Sequence, residues 1–233
     1  MEQRVSPLAF GPEQDEDLQR EAAGWRPFVS SVRDLVDACV TTAVDEDEIA
    51  AARAEVEAVV ARLRAKVLPQ SLGRSYEPGN RRRAWSNPVI GVRNPVAPPL
   101  VVRRNPEGRA ESEFHLTSAY EGPPGLVHGG VVSMILDQML GQAVGATGRP
   151  GMTGTLKIVY RAGTPLGDLR AEAWVERHEE IKTFARGRVI GADGVVTAEA
   201  EGVFILPRHV REWVAARERG EDVPPMPSLR VFD

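Results

Sequence analysis

The first third of the chain contains two different patterns of apolar and polar residues. Residues 1–30 are polar and irregular, and five residues interrupt any long helix there: Pro7, Gly11, Pro12, Gly24 and Pro27. A short helix is predicted over Val32 to Val40. From Asp45 to Val67 apolar residues recur at helical spacing. Asp45 followed by Glu48 predicts a helix start, and Pro69 a stop. Residues 71–88, rich in Gly, Pro, Ser and Arg, are predicted to be a connector.

The second half has a different pattern. Apolar residues alternate from Phe114 to Tyr120, which indicates a strand. The stretch GGVVSMILDQMLGQAVG, residues 129–145, is apolar on nearly every side, which is typical of a buried helix. Four strand-like runs follow at 153–161, 169–178, 181–190 and 195–206, with GADG as a hairpin signal between the last two. The plan predicts an α+β fold in which an antiparallel sheet wraps a central helix. The N-terminal helices form an extension to it.

Composition narrows the class of protein. The 233 residues are 42% hydrophobic and 27% charged, as in ordinary globular proteins, and the formal net charge is −4. This charge favours no nucleic-acid partner. No apolar run has the roughly 20 residues of a membrane span, and the first residues do not resemble a secretory signal. Cys39 is the only cysteine, which excludes an internal disulfide and a multi-thiolate metal site. The expected location is the cytoplasm.

A carboxylate inside the apolar helix is the first candidate for chemistry. Asp137 lies among Met134, Ile135, Leu136 and Met139. Burying an ionised carboxylate costs several kcal/mol unless it is paired or hydrogen-bonded. Asp137 is therefore either a structural hydrogen-bonding residue or a reactive group at the edge of a cleft.

The start of the same helix is the second candidate. Gly129 and Gly130 follow His128, and the first amides of a helix have no partner within the helix. A glycine lets a ligand approach these amides, and the helix dipole favours a developing oxyanion there. Tight packing is the alternative explanation for the glycine pair.

The spacing of these two candidates has a consequence. Eight residues separate Gly129 from Asp137, about 12 Å along a helix. This is too far for both to contact one carbon atom. If two subunits meet, the helix start of one can face the acid of the other. A homodimer with composite sites, or a dimer of such dimers, is therefore predicted.

The motif resembles a known family. GPPGLVHGGVVSMILDQMLG, followed after a short gap by MTGTLKIVY, resembles the hotdog-fold acyl-CoA thioesterases. More narrowly, it resembles the branch with the phenylacetate-pathway thioesterases and the human mitochondrial long-chain members. The resemblance covers roughly residues 110–206. It implies a hotdog thioesterase domain over 87–207, an N-terminal extension over 1–86, and a C-terminal tail with a short helix over 208–233.

The resemblance also implies roles for four residues. The amide of Gly129 would donate to the thioester carbonyl, and Asp137 would act as general base on water or as nucleophile. Thr153 matches a residue that helps to place water or substrate, and His128 would orient the loop and contact the substrate. The implied reaction is hydrolysis of acyl-CoA to free acid and coenzyme A, without a metal or a redox cofactor.

Further positions concern substrate binding. Gly130, Gly154 and Lys182 are assigned to it, and Lys182 begins a strand where hotdog proteins often meet the nucleotide end of coenzyme A. An ordinary surface lysine is the alternative. One departure is Gly122, six residues before His128, where several relatives carry Asn or Gln to hold the lytic water.

Two other functions use the same fold. One is a non-catalytic module that senses acyl-CoA and controls a DNA-binding segment, but residues 1–60 carry 14 acidic and 5 basic side chains, a net charge of −9 that would repel a phosphate backbone. The other is an acyl-CoA hydratase or dehydratase, whose His-centred arrangement is not seen in the sequence.

Overall fold

The structure is a computed structural model that describes residues 9–10, 16–67, 76–77, 81–82, 85–98 and 100–223. Within these residues the helices and strands follow the chain in this order: β1 (Ala9–Phe10), α1 (Glu16–Thr41), α2 (Glu46–Arg64), β2 (Tyr76–Glu77), β3 (Arg81–Arg82), β4 (Arg103–Arg104), β5 (Arg109–Leu116), α3 (Gly129–Ala146), β6 (Met152–Tyr160), β7 (Gly167–Glu179), β8 (Lys182–Gly191), β9 (Val196–Ile205) and α4 (Arg208–Glu218).

One antiparallel sheet holds most of the strands. Its order is β1-β4-β5-β7-β8-β9-β6, and β2 pairs with β3 separately. The helix α3 packs across β5 to β9. Strand β6 follows α3 in the chain but lies at the far edge of the sheet, beyond β9. The predicted α+β arrangement of a sheet around one helix is therefore present.

The core lies between α3 and the sheet. Alternation along the strands turns one face toward the helix, as in β5, where Ala110, Ser112, Phe114 and Leu116 are buried. Seven α3 side chains fill the space opposite: Val132, Ile135, Leu136, Met139, Leu140, Ala143 and Val144.

Two glycines set the distance between helix and sheet. A β-carbon at Gly187 or Gly202 would lie 2.7 or 2.6 Å from the δ-carbons of Leu140. A side chain at either position would force Leu140 to shift within a closely packed core, so glycine on β8 and β9 favours this contact. The helix can then lie close against the middle of the sheet.

The prediction for residues 16–41 was wrong. Instead of a short helix, α1 runs for 26 residues through Gly24 and Pro27. Proline inside a helix removes one backbone hydrogen bond and costs about 3 kcal/mol or more. Tertiary contacts offset this cost: Val29 is buried, and the Arg93 guanidinium lies 3.6 Å above the ring of Trp25. Local breaker residues could not reveal those contacts.

The strand predicted from Phe114 to Tyr120 is shorter. It ends at Leu116, and Ser118–Tyr120 forms one 3-10 turn. The Tyr120 hydroxyl donates to the Val96 carbonyl at 3.2 Å, and α1 contacts this turn. The side chains from Thr117 to Tyr120 are all half-buried, so the alternation in the sequence does not continue as alternating burial beyond Leu116.

Other predicted elements agree with the structure. The central helix and the four following strands are present, and Gly194 takes a φ of 82° in the hairpin between β8 and β9. Helix α2 starts after Asp45, whose side chain accepts from the Glu48 amide, and ends at Arg64. Pro69 and most of the predicted connector over 71–88 lie outside the described residues. Helix α4 is the predicted short helix of the tail.

Candidate active site

The start of α3 leaves one amide exposed to a ligand. His128 is the N-cap residue, and its Nδ1 accepts a hydrogen bond from the Gly130 amide at 3.0 Å. In the part of the chain that the structure describes, the Gly129 amide has no hydrogen-bond acceptor. It therefore remains available at the positive end of the helix dipole.

A hydroxyl pair holds the first turn of α3, and sequence reasoning missed it. The Tyr160 hydroxyl donates to the Gly129 carbonyl at 2.8 Å. The Ser133 hydroxyl oxygen lies 2.7 Å from the Tyr160 hydroxyl oxygen. Ser133 also donates to the Gly129 carbonyl at 3.0 Å. These contacts fix the peptide group between Gly129 and Gly130, whereas the Gly129 amide belongs to the preceding peptide group, which follows the N-cap residue His128. The tyrosine ends the motif MTGTLKIVY, which is the signal that could have identified it.

The carboxylate of Asp137 has one partner in the described chain. The Thr153 hydroxyl donates to its Oδ1 at 2.9 Å. Asp137 is half-buried, and its second oxygen has no recorded partner among the described residues. The sheet register shifts between Thr153 and Thr155, so a bulge in β6 accompanies this contact. Asp137 and Thr153, which the family resemblance assigned to the site with separate roles, are in direct contact.

Both ends of the site face the same strand. Gly129 contacts Tyr160 and Asp137 contacts Thr153, and both partners belong to β6. The two groups therefore lie along one side of α3, beside the edge strand of the sheet. Within one chain they stay about 12 Å apart, as eight residues of helix require.

A cavity of about 330 Å³ opens beside the helix start. It borders Gly129 and Tyr160, and its remaining wall is largely apolar, including Leu126, Val127 and Val132. An apolar pocket beside an unpaired amide suits a ligand that carries a carbonyl group on an apolar chain.

The family departure at Gly122 has a steric explanation. A β-carbon there would lie 2.8 Å from the Cα of His128. The Gly122 amide also donates to the Leu126 carbonyl at 2.8 Å, which closes the loop ahead of the helix. Asn or Gln cannot occupy this position without moving the loop. Any water-holding side chain must come from elsewhere.

The remaining predicted binding residues are distributed over the site. Gly130 lies in the first turn of α3, and a β-carbon at Gly154 would lie 2.9 Å from Ile205, so close packing in the β6 bulge accounts for that glycine. Lys182 is exposed at the start of β8. In the sheet it lies opposite Ile205 of β9, and Ile205 lies opposite Met152 of β6. Lys182 is thus two strands from the β6 bulge, about 10 Å away. Substrate contacts by these residues remain a prediction.

The segment before the sheet contacts α3 next to the acid, which sequence reasoning also missed. Asn87 donates to the Gln138 side chain at 3.0 Å, one residue after Asp137. Asn87 also accepts from the amides of Val89 and Ile90, which shapes the loop. The segment therefore helps to hold the middle of the helix.

No group of three His, Cys, Asp or Glu side chains that could hold a metal is found among the described residues. A helix of sufficient length and apolarity to cross a membrane is likewise not found in the described ranges.

Comparison with solved structures identifies the fold. A thioesterase superfamily protein superposes with a TM-score of 0.70 at 28% identity, over 77% of this chain and 94% of its own. The chain has a hotdog fold. The match covers more residues than lie between position 87 and the C-terminus, so it includes part of the N-terminal extension.

Other thioesterases match the chain over a smaller share. A phenylacetic acid degradation-related protein from Ralstonia eutropha JMP134 is 28% identical, with a TM-score of 0.42 over 46% of this chain and 83% of its own. A thioesterase protein from Streptococcus pneumoniae TIGR4, solved with coenzyme A, is 16% identical, with a TM-score of 0.44 over 46% and 85%. No protein-family model and no curated protein matches the sequence.

Proposed function

We propose that the chain hydrolyses acyl-CoA thioesters at sites shared between two subunits. The observation that carries the proposal is the pairing of an unpaired helix-start amide, Gly129, with a half-buried carboxylate, Asp137, on the β6 side of one helix. An oxyanion-binding donor and a general base or nucleophile are the two groups that thioester hydrolysis requires.

Symmetry brings the two groups together. Gly129 and Asp137 lie four residues on either side of Ser133, so a twofold axis beside Ser133 places Gly129 of one protomer level with Asp137 of the other. Strand β6 is at the sheet edge and exposes most of its residues, and an open edge can pair with the same edge of a second copy. Such a dimer has two equivalent composite sites.

The reaction then follows from the groups present. The thioester carbonyl oxygen accepts a hydrogen bond from the Gly129 amide, which stabilises negative charge as the carbon becomes tetrahedral. Asp137 either takes a proton from the attacking water or attacks the carbon itself to give a mixed anhydride that water cleaves. In both cases coenzyme A leaves as the thiol and the free acid is released. Thr153 holds the carboxylate in place.

The narrower assignment is also a proposal. Membership of the branch with phenylacetate-pathway and mitochondrial long-chain thioesterases depends on the motif and the loop GPPGLVHGG, which has Gly122 where other relatives carry an amide side chain. Delivery of the acyl group by coenzyme A is part of this proposal, as is the cytoplasmic location.

The decisive variant is Asp137→Asn. An amide oxygen can still accept from Thr153, so the fold and the association of subunits are expected to persist. Thiol release from a panel of short, long and aromatic acyl-CoAs is expected to fall by at least about 100-fold. Asp168→Asn is the matched control, since this exposed carboxylate is on β7 and His115 is its only hydrogen-bond partner among the described residues.

Two results would count against the proposal. Unchanged turnover in Asp137→Asn would remove the assigned role of the acid. An altered acyl chain without free thiol, detected by mass spectrometry of the wild-type products, would instead indicate a hydratase or dehydratase.

A further inference from the structure

Helix α2 has an apolar stripe that the described part of its own chain does not cover. None of its 19 residues is buried against the part of the chain that the structure describes. Ile49, Val56, Val60 and Leu63 lie on one side of the helix and are 36–50% exposed, and Val67 beyond its end is 72% exposed. Surface helices normally turn such a stripe toward a core, because most of the stability of a helix in a protein comes from packing its apolar face.

The two exposed helices are attached to the rest of the protein through the first half of α1. The first half of α1 is attached to the body, because Val29 is buried and Arg33 donates to the carbonyls of Ala97 and Asn94. The second half is not covered: Leu35, Val36 and Val40 are 41–56% exposed. We call residues 35–67 the arm. It presents apolar side chains on both of its helices, and it begins from an anchored segment.

The charges along α2 indicate what covers it. Glu46, Asp47 and Glu48 occupy the first turn, whereas Arg62 and Arg64 occupy the last. Two copies of the helix in parallel would place like charges side by side. Two copies in antiparallel orientation place the acidic turn of each beside the basic turn of the other.

The apolar stripe has the same symmetry. If a twofold axis passes beside Val56, Ile49 of one copy lies level with Leu63 of the other, since both are seven residues from the centre. In the same register Glu48 of one copy and Arg62 of the other lie on the same side of the helix pair, within about 3 Å of each other along the axis. A patch that complements itself about a twofold axis is what an isologous contact between identical chains requires.

We propose that α2 packs antiparallel against α2 of a second copy of this chain, about a twofold axis beside Val56. This interface is separate from the β6 edge and does not depend on the proposed hydrolase activity. If the two contacts join different pairs of subunits, the assembly is a dimer of dimers.

A cysteine placed at the axis tests the contact directly. In a Cys39→Ser background, Val56→Cys is expected to form a disulfide between two subunits under mild oxidation, because the two β-carbons meet at the axis. Ala54→Cys is the matched control, since it is exposed on the opposite side of the same helix. Cross-linking of Val56→Cys but not of Ala54→Cys supports the proposal. Equal cross-linking of both, or of neither, overturns it.

Charge exchange tests the orientation. Glu48→Lys alone is expected to weaken self-association, measured by sedimentation over a concentration series. Glu48→Lys with Arg62→Glu in the same chain is expected to restore it. Val56→Glu is expected to raise the dissociation constant at least about tenfold, with Ala54→Glu unchanged. Helix content by circular dichroism checks folding.

The same measurements distinguish pairing of the arm with itself from its contact with another surface. If Val56→Glu leaves sedimentation unchanged, or if the double charge exchange weakens association further than Glu48→Lys alone, then the arm does not pair with itself in this way. Contact of α2 with the hotdog domain of a second copy would appear as cross-links from Val56→Cys to that domain with a thiol-to-amine reagent, and would equally overturn the antiparallel pairing. None of these measurements depends on thioesterase activity.

Discussion

Adding one methyl group at the start of α3 should separate catalysis from stability. A β-carbon at Gly129 would lie 3.3 Å from the Tyr160 hydroxyl oxygen and 3.4 Å from its Cζ. These contacts are tight but adjustable, so in Gly129→Ala the tyrosine must move by a few tenths of an ångström. Because both residues border the cavity, the methyl group also enters the space beside the free amide.

The stability terms nearly cancel in this variant. Alanine in place of glycine in a helix contributes up to about 1 kcal/mol of stability, and less at a first position. Weakening the hydrogen bond from Tyr160 to the Gly129 carbonyl costs about 0.5–1.5 kcal/mol. The free energy of unfolding of Gly129→Ala should therefore remain within about 1 kcal/mol of the wild-type value.

Activity should respond far more strongly. Removal of one oxyanion-hole donor typically lowers kcat about 100- to 1000-fold, and a methyl group that displaces the carbonyl oxygen from the amide approaches that loss. We expect a fall of roughly 100-fold in kcat for thiol release, with thermal unfolding nearly unchanged.

A second glycine in the same helix provides the control. A β-carbon at Gly145 would meet nothing within 4 Å, so Gly145→Ala should keep full activity and gain about 0.5–1 kcal/mol of stability. If Gly129→Ala retains kcat within about threefold, the amide has no part in the reaction. If adding Tyr160→Phe to Gly129→Ala restores kcat, the methyl group acts through the tyrosine and not through the substrate.

Two further changes test other contacts. Thr153→Val removes the hydroxyl that donates to Asp137 while keeping the shape of the side chain. Its kcat is expected to fall about 3- to 10-fold with little change in KM. A wild-type kcat would show that the hydrogen bond does not position the acid. Partial burial lowers the pKa of His178 below its usual 6.5, the Arg149 guanidinium lowers it further and Glu218 opposes this, so the folded protein resists protonation. The contribution of neutral His178 to the free energy of unfolding is present above about pH 6.5 and is lost as the pH falls toward the lowered pKa. The thermal unfolding temperature of His178→Gln should therefore depend less on pH between 7.5 and 5 than that of the wild type. Equal slopes for the two proteins would contradict this.

Much of the hotdog domain can be predicted from local pattern. The helix α3 and the strands β6 to β9 follow from apolar periodicity, which needs only neighbouring residues, and the hairpin after β8 follows from its glycines. Helix α1 could not be predicted in this way. The helix passes through Pro27 because contacts with distant residues such as Arg93 outweigh the local cost.

By itself, the amino-acid sequence determined that Gly129 and Asp137 lie on one buried helix eight residues apart, since helical periodicity sets that distance. Only the tertiary structure decided which groups surround them. Thr153 reaches Asp137, and Tyr160 reaches Gly129, because strand β6 crosses to the far edge of the sheet with a bulge after Thr153. Register and bulge position depend on pairing with β9, whose residues are far away in sequence, and no local pattern records that pairing.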